Sequence, residues 1–206
     1  MPMWIAVLLV FLLPVAAYAG PLQDCEQERD NDLRIRGCTE HLRHYSRDAT
    51  AYYRRGAAYL KDDDLDRAIA DATRVLQIDS WYAAAFLTRG MAYERKEQYE
   101  RALADYGEAI KINPRYAEVY DARAVVHFKT GQPALALRDA ERAVSLEPYE
   151  AAFLGTRGRL HEALGRRDEA VADYRRALGL DSSAQAAIDG LRRLGASPAS
   201  KAALPR

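Results

Sequence analysis

Across residues 83–116 the apolar positions fall into two helical stripes divided by a short polar link. Phe86, Gly90 and Tyr93 are spaced by four and then three residues, so they share one helical face. Ala102, Leu103, Tyr106, Ala109 and Ile110 form a second stripe of the same period, and Lys96–Gln98 lies between the two. Pro114 cannot extend the second helix, so the chain is expected to turn there. Gly90 and Ala102 are expected to be the small contact residues where the two helices cross.

The pattern repeats every 34 residues. Gly90 maps to Gly56, Ala124 and Gly158, Ala102 to Ala68, Ala136 and Ala170, and Pro114 to Ser80, Pro148 and Ser182. A fixed period of this size predicts stacked helix hairpins, here 49–82, 83–116, 117–150 and 151–184. Each hairpin leaves an apolar face that only its neighbours can cover. Ala187, Ile188, Leu191 and Leu194 continue at helical spacing, so residues 185–194 are expected to cap the open end of the stack. Residues 195–206, rich in Ala, Ser and Pro, are expected to form a tail.

The succession aromatic-x3-Gly-x2-Tyr…Ala-x3-Tyr…Pro, read in Phe86, Gly90, Tyr93, Ala102, Tyr106 and Pro114, resembles the tetratricopeptide repeat family. The resemblance implies an all-α, right-handed α-solenoid whose first helices line a concave groove. It also implies a non-enzymatic module that binds a peptide segment or a partner protein, with no cofactor. Carried over position by position, the family's groove falls on Tyr53, Arg54, Leu60 and Lys61, and on Leu87, Thr88, Met91, Glu94 and Arg95. It continues through Asp121, Val125, Phe128 and Lys129 to Thr156, Arg159 and Glu162. Exposed Leu, Met, Val and Phe rimmed by charge suit an interaction surface. No asparagine stands among these positions, so the family's carboxylate clamp for peptide tails is not expected.

Ahead of the repeats, Trp4–Leu13 is an unbroken apolar run followed by Pro14 and Ala17-Tyr18-Ala19. It resembles a secretory signal with an Ala-x-Ala site and is too short to span a bilayer, which takes about 20 residues. Cleavage after Ala19 and export to the periplasm or beyond are expected, in a bacterial envelope if the resemblance holds. No Lys or Arg precedes the run, which leaves an uncleaved anchor as the alternative. The two cysteines, Cys25 and Cys38, follow directly. One period forward they align with the Tyr59 and Ala72 positions, which face each other across the family's hairpin. A disulfide that clips a degenerate leading half-repeat is therefore expected, as an oxidising compartment favours. The competing reading is a metal-binding envelope protein that uses these cysteines with His41 and His44.

Charge narrows the partner. Thirty basic and thirty acidic residues balance, with no long run of either sign, so neither nucleic acid nor an anionic membrane is an expected partner. Stable membrane insertion is not expected after cleavage. His127 and His161 sit one period apart where earlier repeats have Tyr59 and Tyr93, and they read as packing residues with no acidic or cysteine residue sharing the position. No phosphate loop, nucleophile elbow or zinc-binding helix is visible, so neither catalytic nor metal-ligating residues are assigned. One charged pattern recurs with the period. Arg55, Arg89, Arg123 and Arg157 are each followed sixteen residues later by Asp71, Asp105, Asp139 and Asp173. Recurrence of both signs points to a structural ladder of ion pairs, and spacing leaves open whether each arginine pairs in its own repeat or the preceding one.

Overall fold

The computed structural model describes residues 20–198. The export signal, its expected cleavage after Ala19 and the last residues of the tail lie outside them. The described residues form eleven helices and no strand. A leader contributes α1 (Pro21–Glu26) and α2 (Asn31–His44). Four hairpins follow: α3 (Ala49–Lys61) with α4 (Leu65–Ile78), α5 (Ala83–Arg95) with α6 (Tyr99–Ile112), α7 (Ala117–Lys129) with α8 (Pro133–Leu146), and α9 (Ala151–Ala163) with α10 (Arg167–Leu180). The single helix α11 (Gln185–Arg193) closes the stack.

Corresponding helices begin 34 residues apart, and local chemistry sets their ends. Asp48 and Asp64 cap α3 and α4 by accepting from the backbone N–H of Ala51 and Arg67. Pro133 opens α8, where its missing N–H has no consequence. The turn inside every hairpin needs one left-handed residue: Asp63 (φ 61°), Glu97 (φ 58°), Gly131 (φ 73°) and Gly165 (φ 72°). Only the last two hairpins have glycine there, so the first two bear about 1–2 kcal/mol of backbone strain each.

Alanine dominates the core. Ala68, Ala102, Ala136 and Ala170, all fully buried, occupy one register position and let neighbouring backbones approach. Gly90 plays a different part from the one its spacing suggested. A Cβ there would lie 2.5 Å from the Tyr106 ring, so Gly90 makes room for Tyr106 rather than crossing at Ala102. Gly158 does the same for Tyr174, which Gly190 of α11 encloses from its other side.

Each first helix touches the next first helix, α3 on α5, α5 on α7, α7 on α9 and α9 on α11, whereas successive second helices do not touch one another among the described residues. The stack is therefore tighter on the first-helix side, and that side is the concave one. In the leader, Cys25 and Cys38 are joined by a disulfide with their Cα atoms 4.4 Å apart. Gly37 allows that approach, since a Cβ there would meet the Asp24 Cβ at 2.5 Å. Closing this loop constrains the unfolded chain by about 3 kcal/mol.

Each ladder arginine pairs inside its own hairpin. Nε and an Nη of Arg55, Arg89, Arg123 and Arg157 donate to both oxygens of Asp71, Asp105, Asp139 and Asp173 at 2.6–2.8 Å. The aspartates are buried, and the forked geometry matches guanidinium to carboxylate. In the first two hairpins a third donor reaches back to Thr39 or Thr73 on the preceding helix. His127 and His161 correct the sequence reading, because each has an acidic neighbour: Nε2 lies 3.8 Å from Asp139 and Asp173 respectively. Burial lowers the His127 pKa, and both Nδ1 atoms are buried without a hydrogen-bond partner.

Candidate partner-binding groove

The first helices present their inward positions along the concave wall. In the middle hairpins the positions carried over from the family fall on Leu87 and Met91 of α5 and Val125 and Phe128 of α7. Leu87 and Met91 pack partly against the buried cluster of Tyr106, Val119 and Val126, and Val125 is half-buried. Phe128, near the end of α7, is 43 % exposed, an apolar ring left uncovered. Towards α11 the wall becomes bare: Ala152, Gly155 and Ala186 line a cleft of about 440 Å³ flanked by Tyr149 and Leu180.

Three groove positions carried over from the family are in fact interior. Leu60, Thr88 and Thr156 are 7 %, 5 % and 7 % exposed, because neighbouring first helices close over them. Most of the expected cations are already engaged. Arg95 donates to the Leu60 carbonyl at 2.7 Å and so satisfies the end of α3, while Lys129 reaches Glu94 at 2.8 Å. Arg54 pairs with Glu26 of the leader at 3.2 Å. Arg159 is exposed and makes no ion pair among the described residues.

Glu94 and Glu162 accept a second bond from inside the fold. Tyr106 and Tyr174 donate to them at 3.1 and 2.7 Å, and Arg193 of α11 holds Glu162 from the groove side. Hydrogen bonds to Arg193 keep the Glu162 carboxyl below its usual range, and burial pushes both tyrosine hydroxyls up. Asp121 is the opposite case. Burial raises its carboxyl to about 6, and its Oδ1 is buried without a hydrogen-bond partner.

Tyr53 stacks against Tyr82, with ring centroids 5.2 Å apart and the planes tilted by 39°. Tyr82 and Tyr116 were not singled out in the sequence. They stand just before α5 and α7, outside the helical pattern that marks the groove. The available signal was their register: Asp48 and Glu150 hold the same position ahead of α3 and α9 and act as caps.

In the leader the candidate metal ligands are otherwise engaged or apart. The disulfide consumes both thiols, and His41 is bound to Asp48 at 2.9 Å while His44 is exposed 72 %. Among the described residues no group of three or more His, Cys, Asp and Glu converges. Nor is any described helix long and apolar enough to cross a membrane.

Helix hairpins at a 34-residue period, stacked with their first helices along one concave wall, define an α-solenoid of the kind that displays a groove. Sequence profiles of the tetratricopeptide repeat match residues 49–80, 95–131 and 121–187. The chain belongs to the tetratricopeptide repeat family. Among solved structures it is similar to MamA (24 % identity, 74 % of this chain and 90 % of that one, TM-score 0.64). It is also similar to TTC0263, a thermophilic repeat protein of Thermus thermophilus (24 % identity, 80 % and 89 % covered, TM-score 0.67). A third similar structure is the first repeat domain of Spaghetti (RPAP3) bound to the HSP90 peptide SRMEEVD (27 % identity, 57 % and 93 % covered, TM-score 0.54). Comparison with curated proteins finds no match.

Proposed function

We propose that this protein is a non-enzymatic adaptor of the bacterial envelope that holds a peptide segment or a partner protein in its concave groove. The observation behind the reading is the half-exposed apolar wall of Leu87, Met91, Val125 and Phe128, rimmed by charged side chains. A solvated face gains nothing from such a wall, whereas interfaces concentrate binding in a few central apolar anchors. That the similar RPAP3 domain holds a peptide supports the same use of the fold. Export is supported by the Cys25–Cys38 disulfide, which an oxidising compartment maintains, and by the apolar run Trp4–Leu13 followed by the Ala17-Tyr18-Ala19 site. A mature chain that begins after Ala19, measured by mass spectrometry of the periplasmic fraction, is the expected processing.

Proximity labelling in the native compartment identifies the partner, and capture by variants then tests the groove. Phe128→Ala is expected to weaken capture by about 2 kcal/mol with helical content intact. Arg95→Ala is expected to act less on capture and more on stability, because its guanidinium satisfies the end of α3. Glu108→Ala on α6, paired there with Lys111, is the control on the outer helices. Equal loss in the Phe128 and Glu108 variants would overturn the groove assignment.

A further inference from the structure

We propose that Tyr53, Tyr82 and Tyr116, together with Glu118, form a receptor for a cationic side chain, lysine or arginine, on the partner's peptide segment. The inference rests on the groove reading above and narrows the chemistry of the partner.

The position just before each first helix is Asp48, Tyr82, Tyr116, Glu150 and, ahead of α11, Ala184. Asp48 and Glu150 spend their carboxylates on capping, as this position favours. Tyr82 and Tyr116 make no side-chain cap bond at all. The Tyr82 ring packs on Tyr53, a groove residue of α3, at 5.2 Å. All three tyrosines are half-buried. Elsewhere the hydroxyls of Tyr106, Tyr120 and Tyr174 donate to Glu94, the Pro114 carbonyl and Glu162, whereas those of Tyr53 and Tyr116 have no partner among the described residues. Burial, with Tyr53, Glu118 and Tyr82 close by, pushes the Tyr116 hydroxyl up to about 12, and Glu118 also acts on Tyr53. Tyr53 and Tyr82 thus meet ring to ring, Tyr116 follows at the register of Tyr82 one repeat further on, and Glu118 stands in the first turn of α7 behind it.

Around these rings the charge without an ion-pair partner on the α7 side is the acidic Glu118. Glu118 is exposed and makes no ion pair among the described residues, whereas further along the stack Asp121 has both Glu150 and the unpaired Arg159 close by. Two arginines approach from the leader side, Arg34 towards Tyr53 and Arg54 towards Tyr82. Both are committed, Arg34 to the Gln27 carbonyl at 2.6 Å and Arg54 to Glu26 at 3.2 Å. Aromatic faces attract a cation lying within about 6 Å of the ring, and a neighbouring carboxylate adds to that attraction. An acidic ligand would instead face Glu118.

The test titrates the disulfide-bonded protein, with its tyrosine rings carbon-13 labelled, against Ac-Ala-Ala-Xaa-Ala-Ala-NH2 peptides followed by NMR. Xaa is arginine, lysine, norleucine or glutamate. The arginine and lysine peptides are expected to shift the Tyr53, Tyr82 and Tyr116 rings and to bind about tenfold more tightly than the other two. Tyr116→Ala is expected to lose about tenfold in affinity. Tyr116→Phe should retain it, since the ring face and not the hydroxyl does the binding. Glu118→Gln, on the exposed face and harmless to folding, is expected to lose about threefold and to flatten the salt dependence. Norleucine or glutamate binding as tightly as arginine, or tyrosine rings that do not move, overturns the receptor. The two proposals fail separately. If Phe128→Ala abolishes partner capture while Tyr116→Ala and Glu118→Gln do not, the groove stands and the receptor falls. If the arginine peptide moves the tyrosines while Phe128→Ala leaves capture intact, the reverse holds.

Discussion

The first and third hairpins solve helix contact differently from the second and fourth. In the odd pair the second helix carries a small residue, Ala72 or Ala140, and the first-helix position above it is apolar, the buried Leu60 or the exposed Phe128. In the even pair the second helix carries a fully buried tyrosine, Tyr106 or Tyr174, and the groove position is Glu94 or Glu162. The two changes are one. A buried phenol needs an acceptor, and Glu94 or Glu162 of the first helix supplies it. That glutamate then needs a cation, which the next first helix supplies as Lys129 or Arg193. A packing choice in the core thus decides whether this first-helix position is apolar or charged.

The comparison can be broken most severely at its largest side chain. Tyr106→Ala is expected to cost about 3–5 kcal/mol in urea unfolding, since the even hairpin has nothing else to fill the space. Tyr106→Phe keeps the volume and should cost about 1 kcal/mol, leaving Glu94 to Lys129 alone. The small partner comes next. Gly90→Ala is expected to cost about 1–3 kcal/mol, because the new Cβ would meet the Tyr106 ring at 2.5 Å. The odd counterpart already has Ala124 at this position, and Ala124→Gly should cost only about 1 kcal/mol through the backbone.

A third test uses pH. Where the even hairpins have Leu87 and Gly155 in the groove, the third has Asp121, whose carboxyl is raised from the ordinary 3.8 to about 6 by burial. The native state therefore holds a proton that the unfolded chain releases, so this residue lowers stability as pH rises from about 4 to 6. Asp121→Asn is expected to stabilise the protein by about 2 kcal/mol at pH 7.5, with no difference below pH 4, read from paired thermal melts. The smallest effect lies in the hairpin turns. Glu97→Gly should gain about 1 kcal/mol by releasing a left-handed residue, and Gly131→Ala should lose about as much. Equal and opposite shifts in midpoint would confirm that the turn, and not a contact of Glu97, is responsible.

Much of this architecture is legible along the chain. The 34-residue spacing of Gly56, Gly90, Ala124 and Gly158 predicts the hairpins, because a side chain's face on a helix depends only on its distance along it. Cys25 and Cys38 could be aligned in the same way, and the recurrence of Arg89 with Asp105 showed that the two belonged together. Groove chemistry was harder to read. Leu60 and Thr88 looked like wall residues and are buried, and Arg95 and Lys129 looked available to a ligand and are engaged by the preceding repeat.

Period and patterning thus determined, from the sequence alone, where the helices run and which faces they bury. Only the tertiary structure decided that each arginine pairs within its own hairpin, that Tyr106 reaches Glu94, and that Tyr82 packs on Tyr53. The physical reason is that these contacts join side chains on different helices. Which ones meet depends on the small rotation from one repeat to the next, and that rotation is set by how Gly90, Tyr106 and their counterparts pack.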